Sequence, residues 1–324
     1  TLIAKTEHPV CRHELTTTLA SIRYVTKTLG SRSRLPVSAI AIAMTLIPGK
    51  AKAISFVLND VTPGGPMSSE ALAGFQQAVN IWQSKIANQI TINLDIRFDN
   101  GFAANVLGSA GSATVGLSYS DVRTALGTVA SSADDAIAVA GLPAGSSLSF
   151  LTNATNGSVF TDNNGTGNNN TLDVTTANAK ALGLRSATDA ANDAGIGFNS
   201  AFSWDFDQTD GVGAGLQDFV GVAVHEIGHA LGFVSGVDTV DDFTGAGPNA
   251  IDLDPYRVFS VLDLYRYSAS GVLNFATGGT PYFSLDGGAT SLATFSTGSY
   301  NGDGSQASHW KDNLGLGIMD PMAA

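Results

Sequence analysis

Apolar and polar positions alternate over residues 54–58 and again over 90–98, the period of half-buried strands. Between them Leu72, Phe75, Val79, Trp82 and Ile86 recur at helical spacing, after a turn signal at Pro63-Gly64-Gly65-Pro66. Ser68 or Ser69 stands where an N-cap is needed, with Glu70 in the first turn. The spacing predicts an amphipathic helix packed on a sheet. Residues 120–140 read as helical. Residues 141–175, rich in Gly, Ser, Asn and Thr, read as loops and short strands, and 195–200 as a short strand. A long apolar helix is expected near 217–234, followed by irregular chain full of Gly, Asp and Tyr, and no internal repeat is evident. The pattern predicts an α+β fold: a twisted mixed sheet packed on two long helices, then a loop-rich C-terminal subdomain, with a cleft between the two. The expected division is 54–235 for the N-terminal subdomain and 236–324 for the C-terminal one.

Charge separates the beginning of the chain from the rest. The 324 residues hold 16 Lys+Arg and 28 Asp+Glu, a net charge of −12. Residues 1–53 carry eight of the basic residues and two Glu, +6, which leaves −18 on the other 271. So acidic a chain argues against a nucleic-acid partner. Arg32 and Arg34 precede a 13-residue apolar run over 35–47, followed by Pro48-Gly49-Lys50-Ala51-Lys52-Ala53. A basic stretch, a short apolar run and a closing Ala-x-Ala are the pattern of a secretory signal. The run is short of the roughly 20 residues a spanning helix needs. Residues 1–53 are therefore expected to be an N-terminal extension with a signal peptide, and the chain to be secreted or displayed at a bacterial cell surface. The first Met is Met44, and residues 1–30 are longer than an n-region should be, so translation is expected to start nearer residue 30, or the sequence to be a fragment. The single cysteine, Cys11, falls in this stretch, so the exported part would have no disulfide.

Composition makes the chemistry traceable. Of the 28 acidic residues only Glu7, Glu14, Glu70 and Glu226 are Glu, and the five His are His8, His13, His225, His229 and His309. The predicted apolar helix reads Val222-Ala223-Val224-His225-Glu226-Ile227-Gly228-His229-Ala230-Leu231-Gly232-Phe233. Two imidazoles at i and i+4 share a face and can reach one ion, while Glu226 stands beside it. Val220, Val224, Ile227, Leu231 and Val234 form a stripe that would bury the opposite side. Burying two imidazoles and a carboxylate on so apolar a helix is costly unless an ion compensates. A catalytic zinc keeps three protein ligands and one open position. No Glu follows Glu226, and with residues 1–53 removed the one remaining His is His309, in Gln306-Ala307-Ser308-His309-Trp310. His309 is the preferred third ligand, with Asp238, Asp241 and Asp242 as alternatives. Met319, in Gly317-Ile318-Met319-Asp320-Pro321, stands on a turn signal ten residues further on and suggests a sulfur packed under the metal.

The His225–Gly232 stretch resembles the metzincin zinc metalloproteases. The usual third ligand would fall at Ser235, so the chain is closer in pattern to leishmanolysin-like peptidases, whose third His follows a long insertion as Ser-His-Trp and precedes a Met-turn. Trp204-Asp205-Phe206-Asp207, Asp263-Leu264-Tyr265-Arg266-Tyr267 and Phe283-Ser284-Leu285-Asp286-Gly287-Gly288 resemble exported bacterial metalloproteases, some with C-terminal surface-sorting tails. The resemblance implies one catalytic Zn2+, Glu226 as general base, Met319 as the Met-turn residue, and protein or peptide substrates. A sorting tail or final helix would lie beyond Ala324. Tyr265 and Tyr267 are the candidates for a transition-state tyrosine.

The substrate is expected to lie extended, pairing with the strand near 195–200. Asp162-Asn163-Asn164-Gly165-Thr166-Gly167, running on to Asp173, matches part of a calcium loop, so Ca2+ is a lesser expectation. Asp205, Asp207 and Asp210 are read as turn caps. The rival reading is a secreted surface or adhesion protein with a structural or degenerate zinc site.

Overall fold

A computed structural model describes residues 54–311 and residue 322. The signal-peptide stretch 1–53 and Met319 lie outside the described residues. In chain order the first elements are β1 (Ser55–Asp60), α1 (Ser69–Lys85), β2 (Thr91–Asp99), β3 (Gly108–Ser112), β4 (Thr114–Ser118), α2 (Tyr119–Val129) and α3 (Ala133–Gly141). Then come β5 (Phe150–Asn153), β6 (Val159–Asp162), α4 (Gly167–Asn170), β7 (Thr171–Thr175), α5 (Thr176–Ala181) and β8 (Ala194–Asn199). The strands β9 (Trp204–Asp205) and β10 (Gln217–Asp218) lead into α6 (Phe219–Ala230) and α7 (Val237–Phe243). The last strands are β11 (Arg266–Ala269), β12 (Val272–Asn274), β13 (Tyr282–Phe283) and β14 (Ala293–Thr294). The architecture is mixed α and β with several separate sheets.

The first core is built on the sheet β1-β2-β8-β3, in which β1, β2 and β8 run parallel and β3 antiparallel. Alternation in β2 turns Ile92, Leu94 and Ile96 inward. The α1 helix begins where Ser68 accepts from the Ala71 amide, and it buries Ala71, Phe75, Ala78 and Val79. Leu72, expected on that face, is exposed, because Gly74 and Ala78 let the helix approach along a neighbouring line. Phe75 meets Phe198 of β8 edge to face, and the Trp82 indole N–H donates to the Val224 carbonyl of α6 at 3.0 Å.

The second core departs from the expected division at residue 235. Its buried side chains come from α2, β5, β7 and α5 together with α7, β11 and β12, so segments from both sides of that boundary form one cluster. The sheet β14-β13-β11-β12-β5-β6 makes the same point, since β12 pairs parallel with β5. Strand pairing is non-local and crosses a boundary drawn from composition. The helical stretch expected over 120–140 is present as two helices, α2 and α3. Ser132 and Asp135 form a reciprocal capping box that starts α3 after a break.

Between the cores, Lys180 of α5 is fully buried against Asp193, with Nζ 2.5 Å from the carboxylate. Its other protons go to the carbonyls of Thr91 and Asp189, both at 2.9 Å.

Candidate metal centre

The α6 helix is shorter than the expected 217–234. Asp218 caps it by accepting from the Gly221 amide at 2.8 Å, and it closes at Leu231. Phe233 N–H then bonds to the Gly228 carbonyl and Gly232 N–H to that of His229, a Schellman pair with Gly232 at φ +117°. Val220, Ala223, Val224, Ile227 and Ala230 are buried and anchor the helix, while Leu231 and Val234 are half-buried. Gly228 is a point of close approach. A Cβ there would come 2.5 Å from Sδ of Met322 and 3.3 Å from Trp82. Met322 is buried on this side of the helix.

His225, His229 and His309 converge. Nε2 of His225 lies 3.0 Å from Nε2 of His229 and 3.1 Å from Nε2 of His309. Nδ1 of His229 is 2.6 Å from the Phe233 carbonyl. A carbonyl only accepts, so Nδ1 holds the proton and the Nε2 lone pair faces the other rings. Ligand nitrogens about 2.1 Å from a tetrahedral zinc stand about 3.4 Å apart, close to the spacing found here. The donor set therefore fits a divalent cation of imidazole preference. Burial lowers His229 to about 4, with the Phe233 carbonyl opposing and His225 adding to it. Burial and the two neighbouring rings bring His309 to about 4 as well. These imidazoles are neutral at ordinary pH, the form a metal requires. Among the described residues this is the one group of three or more His, Cys, Asp or Glu side chains gathered in this way.

Glu226, next in the chain to His225, is buried, and desolvation raises it to about 7. Gly108 of β3 leaves room for it, since a Cβ there would lie 3.2 Å from Oε1 of Glu226 and 3.1 Å from Val222. Further along β3, the Ser112 hydroxyl donates to the His229 carbonyl at 3.0 Å. The strand thus lies against α6 at both ends.

His309 sits in a buried stretch, not on the surface, at 9% exposure. Ser296 N–H bonds to the His309 carbonyl, and Trp310 N–H to that of Met322. The Trp310 ring is enclosed by Phe233, Phe283 and Phe295 at 4.8–5.6 Å between centroids. The three Asp alternatives do other work. Asp238 accepts from the amides of Ala307 and Ser308, and Asp241 from those of Tyr300 and Asn301. Partial desolvation raises the exposed Asp242, with Asp241 adding to it, and neither joins the histidines. The bonds from Asp238 are the feature the sequence did not disclose, because 69 residues separate it from Ala307.

Other expectations are corrected. The strand β8 near 195–200 has β2 on one side and β3 on the other, so no peptide can add to it. Among the described residues the edge strands of that sheet are β1 and β3, and β3 is the one set against α6 through Gly108 and Ser112. Tyr265 and Tyr267 belong to the second core, where the Tyr267 hydroxyl donates to the Gly141 carbonyl at 3.4 Å. Burial pushes Tyr267 up to about 12 and Tyr265 higher still. The acidic side chains of the partial calcium loop form no group of three or more candidate ligands among the described residues. Asp162 accepts from Asn164 and Asn168, Asp173 pairs with Arg257 at 2.7 Å, and the short helix α4 replaces the rest of the loop. Asp205 and Asp207 accept amides of their own turns, as turn caps do. No family model, curated protein or solved structure matches the chain.

Proposed function

We propose that this chain is a zinc-dependent endopeptidase, with His225, His229 and His309 as metal ligands and Glu226 as the general base. One observation carries the reading: two imidazoles from one turn of helix and a third from 80 residues further along bring their nitrogens to one point, and the buried Glu226 is next in the chain to His225. When bound, zinc supplies Lewis acidity toward a carbonyl and acidifies water to a pKa of about 7.

The protein's own part follows from its environment. A Glu226 carboxyl held near 7 is poised to accept a proton from an attacking water and to return it. As the water oxygen bonds to the scissile carbonyl carbon, one of its protons passes to a Glu226 oxygen. As the C–N bond breaks, that proton goes to the leaving amine. The free edge of β3, set against α6 through Gly108 and Ser112, is where an extended peptide adds as a further strand. Substrates are thus proteins or peptides in extended form, and export to the cell exterior is proposed with the same activity. A structural zinc site would call for a fourth protein ligand, and no fourth joins the three among the described residues.

The test is hydrolysis of casein and of quenched peptides by the full chain. Activity should disappear with a chelator and return with Zn2+. E226Q should keep its zinc and lose turnover by three or more orders of magnitude. Bound zinc without chelator-sensitive cleavage by the wild type overturns the peptidase reading in favour of a structural metal.

A further inference from the structure

The third imidazole arrives on a loop, and loops do not hold ligands still without help. The peptide ahead of it is held from both sides. Asp238, at the start of α7, accepts from Ala307 N–H at 2.5 Å through Oδ1 and from Ser308 N–H at 3.2 Å through Oδ2. Arg266 of β11 has no exposed surface. It donates to the Ala307 carbonyl at 3.4 Å and to the Ser296 carbonyl at 3.0 Å, and its guanidinium lies 4.7 Å from the Phe295 ring centre. Ser296 is the residue whose N–H bonds to the carbonyl of His309 itself.

The geometry points to Asp238 as the positioning residue of the third ligand: with Arg266 on the carbonyl side of the same residue, it sets where His309 stands and so how tightly the triad holds a divalent metal. The inference rests on the metal-site part of the proposed function. Asp238 does not touch the metal position. It belongs to the set of outer partners that fix a ligand's place, and such partners are worth 10–100-fold in metal affinity. Both amides next in line to His309 end on one carboxylate, so loss of that carboxylate frees the segment without touching α6. The ligands on the helix keep their own supports, Phe233 for His229 and the apolar face for the turn.

The experiment compares the wild-type full chain with D238A, D238N and the benchmark H309A. Zinc affinity is measured by competition with a chromogenic chelator, the ligand field by Co2+ absorption, and the metal-free protein by hydrogen exchange. D238A should bind zinc about 10–100-fold more weakly, with an altered Co2+ band. D238N keeps one acceptor oxygen for Ala307 and should fall between wild type and D238A. In metal-free protein, peptides covering 305–310 should exchange faster in both variants while those covering 219–230 do not change. Zinc affinity of D238A within twofold of wild type, or unchanged exchange at 305–310, overturns the inference. Where D238A does not fold, D238N decides by the same two readouts. A wild type that binds zinc but cleaves nothing overturns the peptidase reading alone. A wild type that binds no zinc removes the metal site, and the exchange contrast then decides whether Asp238 holds the segment.

Discussion

Replacing Gly232 with Ala is the sharpest probe of how the fold delivers His229. Gly232 has φ +117°, a backbone that L side chains rarely adopt, and a Cβ there would sit inside the carboxamide of Asn178. Backbone strain of this kind costs about 1–3 kcal/mol. Pushing the Asn178 side chain off its rotamer adds about 0.5–1.5 kcal/mol. G232A should therefore destabilise the metal-free protein by about 1.5–4.5 kcal/mol, read as a shift in the denaturant midpoint at constant slope. In an N178A background the collision is gone but the strain remains, so the same substitution should cost only about 1–3 kcal/mol. A second readout follows from the route of the chain. Gly232 aims the Phe233 carbonyl back at Nδ1 of His229, so G232A should also weaken zinc binding. A cost below about 0.5 kcal/mol in the wild-type background, or one that vanishes entirely with N178A, refutes the argument that the backbone at this position is what requires glycine.

K180M leaves the buried Asp193 carboxylate without its cation and should cost about 3–5 kcal/mol in chemical denaturation; a loss below 1 kcal/mol would mean that Thr176 and Asn93 satisfy the carboxylate by themselves. Burial raises Asp238 from 3.8 to about 6, with Asp263 contributing and the Ser308 and Ala307 bonds opposing. The native state therefore holds a proton there that the unfolded chain has released. Stability from this group is present below about pH 4 and is lost as pH rises through 6. Relative to D238N, wild type should lose on the order of 2–3 kcal/mol between pH 4 and 7, and a flat difference curve would refute the assignment.

Helical periodicity made the pair on α6 legible, because placing two side chains on one face is a local property of five successive residues. His309 was reached through scarcity. With one histidine left outside residues 1–53 and the helix, no geometry was needed to nominate it. The N-cap of α1 at Ser68 was equally local, and the break before α3 was open to the same reading, since Ser132 and Asp135 stand three positions apart in the chain.

The functions of Asp238, Gly108 and β8 belong to the other category. The sequence over 195–200 has a strand's pattern whether its neighbours are one or two, and only the pairing with both β2 and β3 removes it from the surface. An Asp near the helix that carries His225 and His229 reads as a ligand until the tertiary structure brings Ala307 and Ser308 to its oxygens. Residue type and period determine what a segment can become and which atoms can bind a cation. Which backbone group meets which carboxylate, and which sheet edge stays open, depends on contacts between residues tens to a hundred positions apart, and no local pattern encodes those.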